Sequence, residues 1–162
     1  MTRSNGVTID RSEAEQLMAR WWCCYDEGLF HAMADLLDEK VHFQCRTDTG
    51  TTSFEEFVRA EAAGRDEVMQ WQTEHRLDSP FPLRHHMSNF HLTDGDGDEY
   101  RFRQYLSVTQ VKDMSPTPVP GGVVEGAIRR QDDGSLRISD MVVILDTMDS
   151  VTLRDLRRQS DR

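Results

Sequence analysis

Three histidines fall within nine residues in the run Arg84-His85-His86-Met87-Ser88-Asn89-Phe90-His91-Leu92. Read as one β-strand, the run places His86 on a face with Ser88, Phe90 and Leu92, because successive side chains point to opposite sides. His85 and His91 then look the other way, with Met87 and Asn89. An imidazole beside a hydroxyl and two apolar groups is what a small-molecule pocket needs: an apolar wall gives affinity and a few polar groups fix orientation. His86 is thus the candidate acid or base, with Ser88 and Phe90 as ligand contacts. A second candidate base is Asp140, which strand alternation sets on the face of Ile138, Val142 and Ile144. A carboxylate on an apolar face is costly unless paired or titratable. The competing readings are a water-facing strand or an ion pair with Arg103 or Arg129. Arg101, Arg103, Gln104 and Tyr105 line the cavity or meet a sister subunit.

Metal, nucleotide and serine-nucleophile chemistry are not expected. Asp94, Asp96 and Asp98 imitate the start of a calcium loop, but Glu99 stands where glycine is required and Tyr105 where the closing glutamate belongs. His85 and His86 diverge from a strand and cannot easily share a zinc ion. No Gly-rich dinucleotide motif, P-loop or GxSxG elbow occurs, so no cofactor is expected.

The elements that must position these residues follow from periodicity. Ser12 and Glu15 fit a capping box, and Ala14, Leu17, Met18, Trp21, Trp22 and Tyr25 form the apolar stripe of a first helix that Gly28 can end. Leu29 to Glu39 predicts a second short helix, and Val41, Phe43 and Cys45 a half-buried strand. Ser53 to Glu56 reads as another capping box, opening a helix that carries Phe57, Val58, Ala62 and Met69 toward Trp71, with Gly64 as an interruption. Beyond Pro80 and Pro82 the period becomes that of strands: 84–92 and 100–111 pair across Asp94 to Asp98, and 123–130 pairs with 136–145. Three prolines and two glycines make 115–122 a loop rather than a sheet edge. Helices ahead of a strand meander indicate an α+β fold with helices on one face of an antiparallel sheet. The expected divisions are an extension over 1–11, a single domain over 12–148 and a charged tail over 149–162.

With 162 residues the chain is long enough for one domain. A net charge of −10 argues against a nucleic-acid partner, which would need a basic face. Cys23, Cys24 and Cys45 are odd in number and unpaired in spacing, so they read as free core thiols. No apolar leader or membrane span is evident, and the expected compartment is the cytoplasm.

The segments Trp22-Cys23-Cys24-Tyr25-Asp26-Glu27-Gly28, Arg84 to Asn89 and Ile138 to Asp146 resemble the SnoaL-like branch of the nuclear transport factor 2-like superfamily. The resemblance covers about 12–148 and implies a cone-shaped curved antiparallel sheet wrapped around N-terminal helices, in a cystatin-like architecture, with a cavity at the wide end. Tyr25, Asp26 and His86 are similar to the tyrosine, aspartate and histidine of scytalone dehydratase-like enzymes, although Val123 to Ala127 lacks the second histidine those enzymes use. The same strand motif is also similar to the β subunit of aromatic-ring hydroxylating dioxygenases, where it implies assembly with an oxygenase α subunit; the short 47–52 link departs from that group.

On the enzyme reading, Asp26 holds one tautomer of His86, which moves a proton beside a carbonyl or onto a departing hydroxyl, while Tyr25 donates to the substrate oxygen. Trp22 and Tyr105 complete the ligand contacts. Three functions stay open: a cofactor-free lyase, isomerase or hydratase for a hydrophobic cyclic or aromatic compound; a non-catalytic dioxygenase β-type subunit; and a binding module without turnover. A homodimer or homotrimer is expected in each case.

Overall fold

The computed structural model describes residues 8–160. Most of the expected N-terminal extension and the last two residues of the charged tail lie outside the described residues. The elements run α1 (Arg11–Glu27), α2 (Phe30–Ala34), β1 (Leu37–Thr47), α3 (Glu55–Val58), β2 (Ala60–Ala63), α4 (Arg65–Leu77), β3 (Leu83–Asp96), β4 (Glu99–Lys112), β5 (Ser115–Arg130), β6 (Leu136–Leu145) and α5 (Leu153–Ser160). Six strands form one curved sheet in the order β2-β1-β6-β5-β4-β3. This is the expected α+β architecture, with one refinement: β1 pairs parallel with β6, while every other pair is antiparallel.

The first helix buries the stripe its spacing predicts, from Ala14 and Met18 to Trp21, Trp22 and Tyr25. Its cap is Asp10 rather than Ser12: the Asp10 carboxylate accepts from the N–H groups of Ser12 and Glu13 at 2.8 and 3.3 Å. Gly28 ends it in the left-handed conformation (φ 68°) that suits glycine at this position. α1 packs chiefly on β3, and α4 on β1 and β2. Trp21, Met18, Met33, Leu37, Phe102, Ile128 and Met141 fill the layer between helices and sheet.

Tertiary pairing overrides local pattern in three places. The second helix stops at Ala34, and Leu37 already pairs with Ile138. The helix expected from Ser53 to Trp71 divides into α3, β2 and α4, because Ala60 to Ala63 pair with β1 and Gly64 turns the chain at φ 88°. The capping box of Ser53 is not made, since Phe54 occupies the cap. Residues 115–122 are strand, not loop: Pro116 and Pro118 face Val111 and Thr109 of β4. The prolines recur at every second position, so their missing N–H groups all face the side that β6 does not reach, as β6 begins pairing only at Gly122.

Cys24 and Cys45 are buried thiols, but Cys23 is exposed, because one helical residue turns it about 100° from Trp22. Among the described residues no helix is long and apolar enough to cross a membrane.

Candidate functional site

Between the helices and the concave face of the sheet lies a cavity of about 230 Å³. An engineered cavity of about 150 Å³ accepts benzene, so this space suits one ring or two fused rings. Trp22 and Tyr25 enter it from α1, Phe43 and Cys45 from β1, Trp71, Gln72 and His75 from α4, Leu83 and His85 from β3, and Val143 and Leu145 from β6. Phe54, Phe57 and Val58, from the segment that links β1 to β2, add to the wall. No lysine or arginine is among the lining residues.

The imidazole on the β3 wall is that of His85. His86 points outward and its Nε2 meets the Thr109 hydroxyl at 3.1 Å in an exposed position, which corrects the expected placement. The reason is a bulge. Leu83, His85 and Met87 face inward, the register with β4 then shifts between Ser88 and His91, and Asn89 takes φ 54°. Beyond that extra residue Phe90 and Leu92 face inward, so His86 never shared their face. Ser88 and Tyr105 are register partners and both are exposed, away from the cavity. Phe90 is buried against Phe102, with ring centroids 5.7 Å apart, and borders a separate, more polar groove with Arg11, Arg103 and Tyr105. His91 is exposed and bonded to the Asn89 carbonyl at 3.0 Å.

Asp140 is likewise on the outer side. The register between β5 and β6 slips at Ser139, so Ile138 and Met141 face the core while Asp140 faces away with Val142 and Ile144. Its carboxylate meets His42 Nδ1 at 3.1 Å and Arg101 at 3.4 Å.

Asp26 stands beside His85. Its carboxylate accepts from the His85 backbone N–H at 2.9 Å and from His85 Nδ1–H at 2.6 Å. Donation from Nδ1 leaves the Nε2 lone pair as the basic position of the neutral ring. The His85 ring stacks on Trp22 (4.9 Å, 8°) and meets Tyr25 edge-on (5.1 Å, 89°). The end of α1 that carries Tyr25 and Asp26 is held by the buried guanidinium of Arg76. That group donates to the Tyr25 carbonyl at 2.9 Å, to the Asp26 carbonyl at 2.8 and 3.2 Å, and to the carbonyls of Ser79 and Pro80 at 3.3 and 3.0 Å. A cation at a helix C-terminus also suits the helix dipole.

The Tyr25 hydroxyl lies 2.6 Å from His75 Nδ1. His75 is clamped between Trp71 (4.5 Å, 13°) and Phe57 (4.6 Å, 35°). Burial, reinforced by His85 and Arg76, pulls the His75 pKa down to about 4, so the ring is neutral near pH 7. Burial pushes the Tyr25 phenol up to about 12, against the opposing pull of the Ser79 hydroxyl and Arg76. Burial also drives the Cys45 thiol up to about 12, which makes it a poor nucleophile.

Of the residues singled out in the sequence, the structure brings Trp22 and Tyr25 to the cavity wall, sets Asp26 against His85 of that wall, and leaves His86, Ser88, Tyr105 and Asp140 on the outside. His85 and His75 replace them. His75 carried a legible signal, because Trp71 and His75 are one helical turn apart once the helix is carried on to Leu77. Among the described residues no group of three or more His, Cys, Asp or Glu side chains could hold a metal ion.

Known structures share this architecture. An NTF2-like protein with a cystatin-like fold from Novosphingobium aromaticivorans is 21% identical, covers 91% of this chain and 88% of its own, and superposes with a TM-score of 0.69. The β subunit assigned to an aromatic-ring-hydroxylating dioxygenase of the same organism is 16% identical over 88% of this chain and 93% of its own, with a TM-score of 0.69. A protein assigned there as a scytalone dehydratase is 16% identical over 87% and 88%, with a TM-score of 0.66. No curated protein sequence matches the chain significantly. At such identities the likeness concerns the fold, but the SnoaL-like domain family itself matches residues 7–142. The chain therefore belongs to the SnoaL-like domain family.

Proposed function

We propose that this protein binds a hydrophobic cyclic or aromatic molecule and acts on it as a lyase or isomerase by side-chain acid–base chemistry. The observation that carries this reading is the Asp26–His85 pair at the wall of an apolar cavity. In the reaction, His85 Nε2 takes a proton from the carbon next to a ring carbonyl, and the C–H electron pair moves onto the carbonyl oxygen as an enolate. Asp26 stabilises the imidazolium, and Tyr25 hydrogen-bonds the enolate oxygen. The imidazolium then returns its proton either to another carbon, giving an isomer, or to a departing hydroxide, giving water and an alkene. Such general catalysis contributes roughly 10²- to 10⁴-fold.

The dehydratase-assigned neighbour supports this chemistry, and the β-subunit neighbour supports an assembly role. An open cavity with a buried dyad favours the first, since assembly alone requires neither. Self-association as a homodimer or homotrimer is favoured by a sheet with one face free of helices, and the exposed Cys23 thiol suits a reducing, cytoplasmic setting. The test is exchange of the C2 protons of 1-indanone in D2O, followed by NMR. The wild-type protein is expected to accelerate exchange, and His85→Asn and Asp26→Asn to lose it. Exchange that is absent in the wild type, or unchanged in His85→Asn, would overturn the reading in favour of binding without turnover or assembly.

A further inference from the structure

We propose that His75 is a positioning residue that turns the hydroxyl proton of Tyr25 into the cavity, so that Tyr25 donates to an oxygen of an uncharged ring ketone or alcohol. The proposal deepens the acid–base reading above and rests on it for the identity of the site.

It begins with a stranded atom. His75 Nε2 is buried without a hydrogen-bond partner, the ring faces are covered by Trp71 and Phe57, and Nδ1 is engaged by Tyr25. A neutral imidazole carries one proton, on one nitrogen or the other. Placed on Nε2, that proton would be a buried donor with nothing to receive it, which native structures rarely tolerate; an unfilled lone pair is the lesser loss. The proton therefore belongs on Nδ1, and Nδ1–H donates to the Tyr25 oxygen across 2.6 Å.

That fixes the tyrosine. Its oxygen accepts from His75, so its own O–H cannot point back and must go elsewhere. The Ser79 hydroxyl, also in the cavity lining, already donates to the His75 carbonyl at 2.6 Å, so its proton does not compete for the Tyr25 oxygen. Accepting from His75 polarises the phenol and strengthens its outgoing bond. Burial keeps both partners uncharged, so the donor survives across the neutral pH range. A carboxylate or phosphate ligand would find no lysine or arginine among the lining residues, whereas a neutral carbonyl or hydroxyl oxygen needs only this donor.

Two measurements test it. In protein labelled with ¹⁵N-histidine, long-range ¹⁵N–¹H correlations assigned through bonds, so that no variant need fold, are expected to show His75 protonated at Nδ1 and bare at Nε2 at pH 7. The Nε2–H form would overturn the proposal. Binding of 1-indanone, indane and indane-1-carboxylate is then followed by quenching of tryptophan fluorescence, to which Trp22 and Trp71 in the wall contribute. The wild type is expected to prefer indanone over indane by roughly fivefold, the scale of one net hydrogen bond, and to bind the carboxylate no better than indane. Tyr25→Phe and His75→Phe are expected to lose the preference, and Ser79→Ala to keep it. A preference that persists in His75→Phe, or tight binding of the carboxylate, would overturn the proposal. Its failure is separable from that of the acid–base reading. His85→Asn leaves tautomer and preference intact while stopping proton exchange, so exchange without the Nδ1–H tautomer sinks only the role of His75. The tautomer without exchange sinks only the catalytic role of His85.

Discussion

His85 and His42 each hold a carboxylate oxygen at 2.6 Å, that of Asp26 inside the protein and that of Glu61 on its outer face. The bonds are alike in length and the surroundings are not. The side chains of the inner pair are 10% and 7% exposed, those of the outer pair 43% and 64%. Water and salt screen the outer pair, so it contributes little to stability. The inner pair has given up hydration and depends on its own geometry, which makes removal of either partner expensive. The two regions also treat a proton differently. Hydrogen bonds from His42 to Glu61 and Asp140 raise its pKa, whereas burial lowers that of His75 beside the inner pair. A short histidine–carboxylate contact is therefore no mark of a functional site by itself; an apolar cavity beside it is what gives the imidazole something to act on.

The sharpest way to break this contrast is to compare His85→Ala with Glu61→Gln in proton exchange. The inner change is expected to reduce exchange by roughly 10²- to 10⁴-fold, and the outer one to leave it alone; equal effects would erase the distinction. Next in size is Arg76→Met. It leaves the buried carbonyls of Tyr25 and Asp26 without their donor, so urea denaturation is expected to show a loss of about 3 to 4 kcal/mol, with exchange falling as the end of α1 loosens.

The acid limb of stability comes third. His75 has a folded pKa of about 4 against about 6.5 when unfolded. Between those values the unfolded chain binds more protons, so stability falls as the pH drops through that window, by about 3 kcal/mol from this group. His75→Phe is expected to flatten the fall, read from denaturation midpoints at pH 7 and pH 4.5. The outer histidine should show the smallest effect, and the opposite sign. Its raised pKa gives a contribution fully present below the unfolded value and lost as the pH rises through the folded one. Glu61→Gln should thus cost a little near pH 6, less at pH 9, and less again in high salt.

Counting in twos groups His86 with Phe90 and Leu92 and Asp140 with Ile138, and both groupings fail at a bulge, one near Asn89 in β3 and the other at Ser139 in β6. Asp140 does share the face of Val142 and Ile144, but that face is the outer one. One extra residue reverses the face of everything beyond it. Nothing in Ser88-Asn89 or Ser139 announces a bulge, because it arises from how two strands accommodate each other's twist. The 53–71 helix fails for a related reason: residues 60–63 have helical composition and become a strand only because β1 offers them an edge.

What the amino-acid sequence determined by itself is everything governed by local periodicity and chemistry: the long α1 with its apolar stripe, the paired strands after Pro82, the α+β order and the placement of Tyr25 and Asp26 at the end of a helix. Those properties depend on residues a few positions apart, where side-chain spacing and backbone preference act directly. The tertiary structure alone decided which imidazole meets Asp26, because that depends on the register of β3 against β4 across a bulge. It also brought His75 against Tyr25 from fifty positions away and left a cavity beside them, since a cavity is a property of packed surfaces and not of any segment of chain.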